Sequence, residues 1–333
     1  RVRGAAGRTL HVEFTDGDVI GVRGPAVSVD RGKSWQWLGA DAVDGASFRY
    51  RVPPATDEVR FSMTIPYFES NLRAFLDRHT GNPALEVSVL AKSAKGRPTE
   101  RRRRGRLDGR ATRRVLLTAR HHACESLASY GLEGIMEAIL GPTEEGRWFR
   151  QNVEFLVVPF MDKDGVEDGD QGKNRRPHDH NRDYNGESIH PSVRALRKLV
   201  PEWAGGRLEF ALDMHCPYIR GKGNDVVSFV GGPNQAIWPE IERFSTLLEA
   251  ARRGPLPYHS TDNLAFGVSW NRPESGRQKS FDTWASEQPG IRFASTIEIP
   301  YADVQGIPVT PESARALGAD LARALHAYLR QTR

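Results

Sequence analysis

The chain has 333 residues, enough for about two domains of roughly 150 residues each. Hydrophobic residues make up 38% of it and charged residues 27%, which excludes a chain that is disordered over most of its length. The longest strongly apolar run, FLVVPFM at 155–161, is far shorter than the roughly 20 residues of a membrane span, so no span is expected.

Neither the cysteine content nor the first residue determines in which cellular compartment the protein resides. The two cysteines, Cys124 and Cys216, exclude a disulfide-stapled scaffold and fit either redox compartment. The chain begins with Arg and not Met, which is compatible with a trimmed or cleaved N-terminal segment. We therefore expect a cytoplasmic protein or, if a signal peptide was removed, a periplasmic or secreted one.

The first 65 residues are predicted to form a small all-β sandwich domain. Short β-prone runs, HVEF, VSV, SFRYRV and VRFSMTI, are separated there by Gly, Asp and Pro. The segment 28–35 resembles an Asp-box, a hairpin whose Asp and Ser side chains tie the turn, and we expect it to be structural. A second domain is then expected at 66–333.

The formal net charge is +5, and much of the positive excess lies in the run RRRRGR at 101–106. Such a run indicates either an anionic partner such as nucleic acid or a solvated hairpin. No aromatic residues interleave with these arginines to stack on bases. We therefore favour the solvated hairpin and expect no nucleic-acid partner.

From residue 66 the pattern changes to helices alternating with apolar strands, which is typical of an α/β sheet. Hydrophobic spacing, a terminal glycine and a Thr-Pro helix start predict helices at 70–79, at 126–141 and from residue 311. Short runs rich in apolar residues predict buried strands at 115–118, 154–160, 210–215 and 295–300.

Two segments carry residues that suit a metal. The strand 115–118 runs into the sequence ARHHACES, where His122 and Glu125 can converge on one cation, and His215 ends the strand 210–215. Two His and one Glu with an open fourth position form a catalytic zinc set. A His at a strand end is also commonly a hydrogen-bonded core residue. A ligand frame shifted by one, with His121 and Cys124, would lose the carboxylate.

Four sequence blocks resemble, in the same chain order, the signature blocks of the zinc carboxypeptidase family. They are ARHHACES at 119–126, DKDGVEDGDQGKNRRPHDHNRDY at 162–184, DMHCPY at 213–218 and FDTWASEQPGIRFASTIEIPY at 281–301. The resemblance covers about residues 66–333, and the N-terminal part looks like the β domain of the cytosolic carboxypeptidase branch. It implies an α/β/α sandwich with a mixed, mostly parallel sheet, and one Zn²⁺ per chain.

The resemblance also assigns the catalytic residues. It makes His122, Glu125 and His215 the zinc ligands and Glu298 the general base. Zinc lowers the pKa of a bound water to near 7, and a nearby carboxylate takes the proton and returns it to the leaving amine.

A second motif of the family, Asp-x-Asn-Arg, matches residues 179–182. The resemblance implies that Asn181 and Arg182 hold the C-terminal carboxylate of a substrate, since a guanidinium grips a carboxylate with two hydrogen bonds. It implies that Asp179 accepts from His122 and fixes the orientation of its ring.

This sequence departs from the family pattern at several positions. The cytosolic branch has an Arg that polarises the scissile carbonyl where this chain has Gly172, so we expect Arg176 or Arg175 to take that role. A tyrosine found in many relatives has no counterpart, because residues 275–277 are Ser-Gly-Arg. We also expect Cys124 and Cys216 to be unpaired rather than disulfide-bonded, and the bond from Cys216 to Pro217 to be cis.

Asp282 concerns the choice of substrate. It lies where relatives specific for basic residues carry the carboxylate that binds a C-terminal Lys or Arg. The cytosolic branch, however, includes enzymes that trim C-terminal glutamates, so the sequence leaves both preferences open.

The leading hypothesis is a zinc metallocarboxypeptidase that hydrolyses the last peptide bond of a peptide or protein tail, with an undetermined oligomeric state. A second hypothesis is a zinc amidohydrolase of small N-acyl amino acids, although those relatives append their β domain after the catalytic domain. A third is a non-catalytic module that binds peptides, which would be expected to lack at least one ligand or the base.

Overall fold

A computed structural model describes residues 1–15, 17–272 and 278–331. The N-terminal part of the chain forms two small antiparallel sheets, with strand orders β1-β7-β3-β4 and β2-β6-β5. The strands are β1 (Val2–Arg3), β2 (Thr9–Glu13), β3 (Ala26–Ser28), β4 (Gln36–Trp37), β5 (Val43–Asp44), β6 (Ser47–Arg51) and β7 (Glu58–Ser62).

The turn between β3 and β4 is tied by its own side chains, as the Asp-box predicts. Asp30 Oδ1 accepts hydrogen bonds from the backbone nitrogens of Lys33 (3.0 Å) and Ser34 (2.9 Å). The Trp35 indole donates to the Gly32 carbonyl at 3.1 Å.

A seven-stranded sheet forms the centre of the rest of the chain, in the order β13-β14-β12-β10-β11-β9-β8. Its strands are β8 (Leu85–Lys92), β9 (Pro98–Gly105), β10 (Arg113–Ala119), β11 (Val153–Val158), β12 (Leu208–His215), β13 (Ser228–Val230) and β14 (Phe293–Glu298). The neighbours β14, β12, β10 and β11 are parallel, whereas β13 and β9 run against them and β8 runs against β9. Five of the seven strands therefore share one direction, which confirms a mixed, mostly parallel sheet. A short hairpin, β15 (Asp303–Val304) and β16 (Ile307–Pro308), follows the sheet.

Helices cover both faces of this sheet. They are α1 (Glu69–Asp77), α2 (Ser126–Leu140), α3 (Glu144–Asn152), α4 (Lys163–Asp168), α5 (Pro191–Ala204), α6 (Trp238–Ala251), α7 (Phe281–Ala285) and α8 (Pro311–Gln331). On β10, Val115 and Leu117 face the core that includes α2 and α8, whereas Leu116 faces the core that includes α5 and α7. This alternation confirms the expected α/β/α arrangement, because successive strand residues point to opposite faces.

The predicted helices at 70–79, at 126–141 and from residue 311 are α1, α2 and α8. Thr310 caps α8, since its hydroxyl accepts a hydrogen bond from the Ser313 nitrogen at 3.2 Å and Pro311 occupies the first helical position. Among the described residues, no helix has both the length and the hydropathy of a membrane span.

The run of arginines at 101–106 forms a hairpin strand, β9, but it is not fully solvated as expected. Arg102 and Arg104 are 1% and 0% exposed, because alternate residues of β9 point inward under the helices. The Arg104 guanidinium lies 5.4 Å from the centre of the Phe75 ring. Burial, and then the charge of Arg102, lower the pKa of Arg104 to about 9.

The N-terminal sheets contact the larger part of the chain at several points. The Trp37 indole donates to the Val309 carbonyl at 2.9 Å, and Arg23 Nε donates to Asp303 at 2.9 Å. The Arg220 guanidinium donates to the carbonyl of Ile20. The domain boundary at 65/66 stays a prediction.

Candidate metal centre

The carboxyl ends of three adjacent parallel strands bring the candidate residues to one edge of the sheet. His215 is the last residue of β12, and it lies directly opposite Glu298, the last residue of β14. Both side chains therefore project from the same face of the sheet. His122 follows the end of β10, the strand on the other side of β12.

The loop after β10 is held by a buried arginine. Arg120 has a φ of 61°, in the left-handed region, and its guanidinium donates to the carbonyls of Ala123 (2.9 Å) and Tyr67 (2.9 Å). This turn leads from the strand to the N-terminus of α2, where Glu125 is the capping residue. His122 and Glu125 therefore face the same side of the loop.

His122, Glu125 and His215, called here the metal-donor group, place two imidazole nitrogens and one carboxylate around one point. The two Nδ1 atoms of His122 and His215 lie 3.2 Å apart. Glu125 Oε1 lies 2.9 Å from the first, and Oε2 lies 2.8 Å from the second. Oε2 is not aligned for a hydrogen bond within the described residues. Donor atoms around a tetrahedral zinc lie about 3.3 Å apart for bonds of about 2.0 Å, so the geometry and the donor types fit this ion.

The other ring nitrogen of each histidine faces a carboxylate. His215 Nε2 hydrogen-bonds to Asp213, which also accepts from Thr118 Oγ1 at 2.7 Å. His122 Nε2 lies 3.6 Å from Asp179 Oδ1, which is longer than a hydrogen bond. Carboxylates in this position orient the histidines of metal sites. Asp213 was missed in the sequence, although it lies two residues before His215 and so on the same face of β12.

Two further groups of donors within the described residues could hold a metal ion. In the first, called the buried His–Asp group, His121 Nδ1 and His215 both contact Asp213, and His121 Nε2 lies 2.7 Å from the Tyr184 hydroxyl. All of its members are buried.

The second further group is His178, Asp183 and His190. Both oxygens of Asp183 already accept hydrogen bonds from backbone nitrogens of residues 189 and 190, at 3.0 and 2.8 Å. The carboxylate therefore ties this loop.

The metal-donor group borders a cavity of about 690 Å³, and neither His121 nor Asp213 lies in its wall. The charged groups around this cavity shift one another's pKa values. Burial alone would raise the pKa of Glu125, but the charges of Lys173, His122 and His215 hold it well below its usual range. Burial lowers the pKa of His215, but Asp213 and Glu125 outweigh this effect and raise it well above its usual range. A metal ion must displace these protons, so its binding depends on pH.

Glu298 also lines the cavity, beside the metal-donor group. Its Oε2 atom has no hydrogen-bond partner among the described residues. Burial, and then the charge of Glu125, raise the pKa of Glu298, while His215 and Lys173 oppose this rise. A carboxylate in such surroundings takes up a proton more readily than one in water.

The residues expected to bind substrate line the same cavity: Asn181, Arg182 and Asp282. Asn181 Oδ1 accepts a hydrogen bond from the Phe281 nitrogen at 2.9 Å, which fixes the loop to the start of α7. Burial raises the pKa of Asp282. A Cβ atom on Gly232 would lie 2.9 Å from Asp282 Oδ2, so the Asp282 carboxylate lies directly against this glycine.

The cations near the metal-donor group are not arranged as the sequence suggested. Arg175 Nε donates to Asp162 at 2.8 Å and Nη2 donates to Asp170 at 3.0 Å. Arg176 borders a second cavity of about 400 Å³ rather than the first. Lys173, which the sequence gave no reason to single out, has its Nζ atom 2.8 Å from Glu125 Oε1. The oxyanion role expected for Arg175 or Arg176 stays a prediction.

Three smaller expectations concern residues around the site. Cys124 and Cys216 are free thiols, as expected. The prediction of a cis bond between Cys216 and Pro217 is wrong. Among the described residues, the cis peptide bond is the one between Arg176 and Pro177. Residues 275–277, where the family tyrosine has no counterpart, lie outside the described residues.

Comparison with known proteins places the site in context. Residues 72–203 match the zinc carboxypeptidase family. Cytosolic carboxypeptidase 3 of Mus musculus is 26% identical over 172 residues, 46% of this chain and 16% of that protein. An uncharacterized protein of Zymomonas mobilis is 24% identical over 305 residues, 88% of this chain and 75% of that protein. A metallo-carboxypeptidase structure from Burkholderia cenocepacia has a TM-score of 0.78 at 20% identity, and covers 99% of this chain and 88% of its own.

Proposed function

Because this chain carries a zinc carboxypeptidase domain that is homologous to the cytosolic carboxypeptidases, we propose that it is a zinc-dependent metallocarboxypeptidase. It hydrolyses the C-terminal peptide bond of a peptide or protein tail. The observation that carries the proposal is the meeting of two imidazoles and two carboxylates at the wall of one cavity.

His122, Glu125 and His215 hold one zinc ion per chain. Their donor atoms are spaced as a tetrahedral ion requires, and they border the cavity, so a substrate has access to them. The buried His–Asp group lacks this access, and its Asp213 is already shared between two rings. When bound, zinc would polarise the scissile carbonyl and make water a nucleophile near neutral pH.

Glu298 is the general base. It takes a proton from the attacking water and passes it to the leaving amine, which needs a carboxylate that is ionised at rest and readily protonated. The raised pKa of Glu298 and its position opposite His215 support this role.

Asn181 and Arg182 hold the free C-terminal carboxylate of the substrate. A guanidinium binds a carboxylate with two parallel hydrogen bonds, and both side chains line the cavity that contains the metal-donor group. Binding of the free carboxylate restricts cleavage to the last peptide bond, because only the C-terminal residue of a peptide carries a free α-carboxylate.

Asp282 selects the C-terminal side chain, and its carboxylate favours Lys or Arg. The position of Asp282 in the wall of the cavity supports this choice. Peptides that differ only in the last residue test it: kcat/KM should be highest for Lys or Arg, and Asp282→Asn should abolish the preference. A preference for glutamate in both proteins would contradict it.

The class of reaction is tested with matched peptides that have a free or an amidated C-terminus. We expect the free peptide alone to lose its last residue, as measured by mass spectrometry. Equal cleavage of both peptides, or cleavage only of small N-acyl amino acids, would overturn the proposal.

A further inference from the structure

Position 172 has no room for a side chain. Gly172 has a φ of 87°, a conformation that side chains rarely adopt, and a Cβ atom there would collide with the backbone nitrogen of Ala123. The loop that carries His122 thus occupies the space next to this residue. No cation can reach the metal-donor group from position 172.

The next residue, Lys173, reaches the metal-donor group instead. Its Nζ atom lies 2.8 Å from Glu125 Oε1 and donates to the carbonyls of Cys216 (2.9 Å) and Pro217 (3.3 Å), in the loop that follows His215. The side chain is 18% exposed and lines the cavity. The ammonium group is therefore fixed between two loops that both carry metal donors.

Three of the other cations in the wall of this cavity have partners away from the metal-donor group. Arg175 is held by Asp162 and Asp170, and Lys279 pairs with Glu287 at 2.8 Å. The remaining two are Arg182 and Arg272, and Arg272 Nε donates to the Ser269 carbonyl at 2.8 Å. Lys173, by contrast, contacts Glu125, a member of the metal-donor group.

The geometry points to Lys173 as the catalytic residue that stabilises the negative charge on the scissile carbonyl oxygen in the transition state. This inference rests on the proposed function. Two of the three ammonium hydrogens bind backbone carbonyls, and the third, now directed at Glu125, is available to a carbonyl oxygen beside the same carboxylate. The ammonium remains protonated throughout, so it lowers the barrier by charge and hydrogen bonding alone.

The test compares Lys173→Met and Lys173→Arg with the wild-type protein on a peptide with a free C-terminus. We expect Lys173→Met to keep its zinc, to lose about 100-fold or more in kcat, and to change KM little, because the contact forms in the transition state. Lys173→Arg should recover part of kcat. Lys95→Met is the matched control, since it removes the same charge from an exposed position that pairs with Asp168.

A binding measurement separates this role from a structural one. A phosphinic peptide, whose tetrahedral anion resembles the transition state, should bind Lys173→Met weaker by about the same factor as the loss in kcat. The released C-terminal amino acid, which lacks the scissile carbonyl, should bind equally to both proteins.

Three outcomes would overturn the inference while the proposed function stands: zinc loss in Lys173→Met, an unchanged kcat with full zinc, or a loss of kcat in Arg176→Met that Lys173→Met does not share. Failure of the wild-type protein to release a C-terminal residue would refute the proposed function, and the inference with it.

Discussion

The metal-donor group and the arginines of β9 both remove charged side chains from water, but in opposite arrangements. At the metal-donor group, imidazoles and carboxylates face one another across about 3 Å at the wall of a cavity. In β9, Arg102 and Arg104 lie on the same face of one strand, and the Arg104 guanidinium lies 5.4 Å from the centre of the Phe75 ring.

Both regions contain buried polar atoms without a hydrogen-bond partner among the described residues, including Glu125 Oε2, Glu298 Oε2 and three nitrogens of Arg104. Such atoms are costly to bury. The comparison teaches that an unpaired buried atom does not identify a functional site by itself. Convergence of different donor types and access from a cavity are also required.

The sharpest test of this comparison removes one donor at a time. We expect His122→Ala to lose zinc and to reduce turnover to the uncatalysed background, because a three-ligand site loses a ligand that faces the cavity. His121→Ala should keep its zinc. Zinc analysis of both purified variants checks the prediction, and the reverse result would move the metal to the buried His–Asp group.

The second test removes the base without removing the metal. Glu298→Gln should keep full zinc occupancy and lose about 10²–10⁴-fold in kcat, since an amide cannot accept the proton. Glu287→Gln, at an exposed position paired with Lys279, is the control. Steady-state kinetics at full metal occupancy measure the kcat of both variants and check this prediction. An active Glu298→Gln would mean that this carboxylate, like the arginines of β9, has no part in the reaction.

The third test concerns the carboxylates behind the histidines. Asp213→Asn should weaken zinc binding by about 10–100-fold, because it replaces the charged partner of His215. Asp179→Asn should have a smaller effect, since Asp179 lies 3.6 Å from His122. Competition with a chelator gives both affinities. Equal affinities in Asp213→Asn and the wild type would contradict the prediction.

The smallest effect is expected in β9. Arg104→Met should leave kcat/KM unchanged and raise the free energy of unfolding by about 1–4 kcal/mol, because a buried guanidinium without a partner is replaced by an apolar chain. Arg103→Met should instead lower it, since Arg103 pairs with the buried Glu154 at 2.7 Å. Urea unfolding measures both. A destabilised Arg104→Met would mean that the buried charge is needed.

Much of the fold was predictable because its signals are local. The strands at 115–118 and 210–215 are mostly apolar, and the α/β/α sandwich that the resemblance implied is confirmed. The burial of Arg102 and Arg104 was not predictable in this way, because a run of like charges indicates solvent. Their position depends on the pairing of β9 with β11 and on the helices above it.

The site was predictable to the extent that its residues stand at strand ends. His122, Glu125 and His215 were named from their spacing and from the resemblance, and the structure brings them together. Lys173 could not be found from spacing, because its contact with Glu125 depends on the path of a long loop and on the collision that excludes a side chain at Gly172.

The hydrogen bond from Arg220 to the Ile20 carbonyl joins the N-terminal part of the chain to the segment that follows His215. Tyr218, 71% exposed at the rim of the cavity, belongs to the same stretch of chain as Arg220, between His215 and β13. A protein shortened to start at residue 66 would lose this hydrogen bond but would keep every residue of the metal-donor group. We therefore expect this shortened protein to have a higher KM for a long peptide and a nearly unchanged kcat.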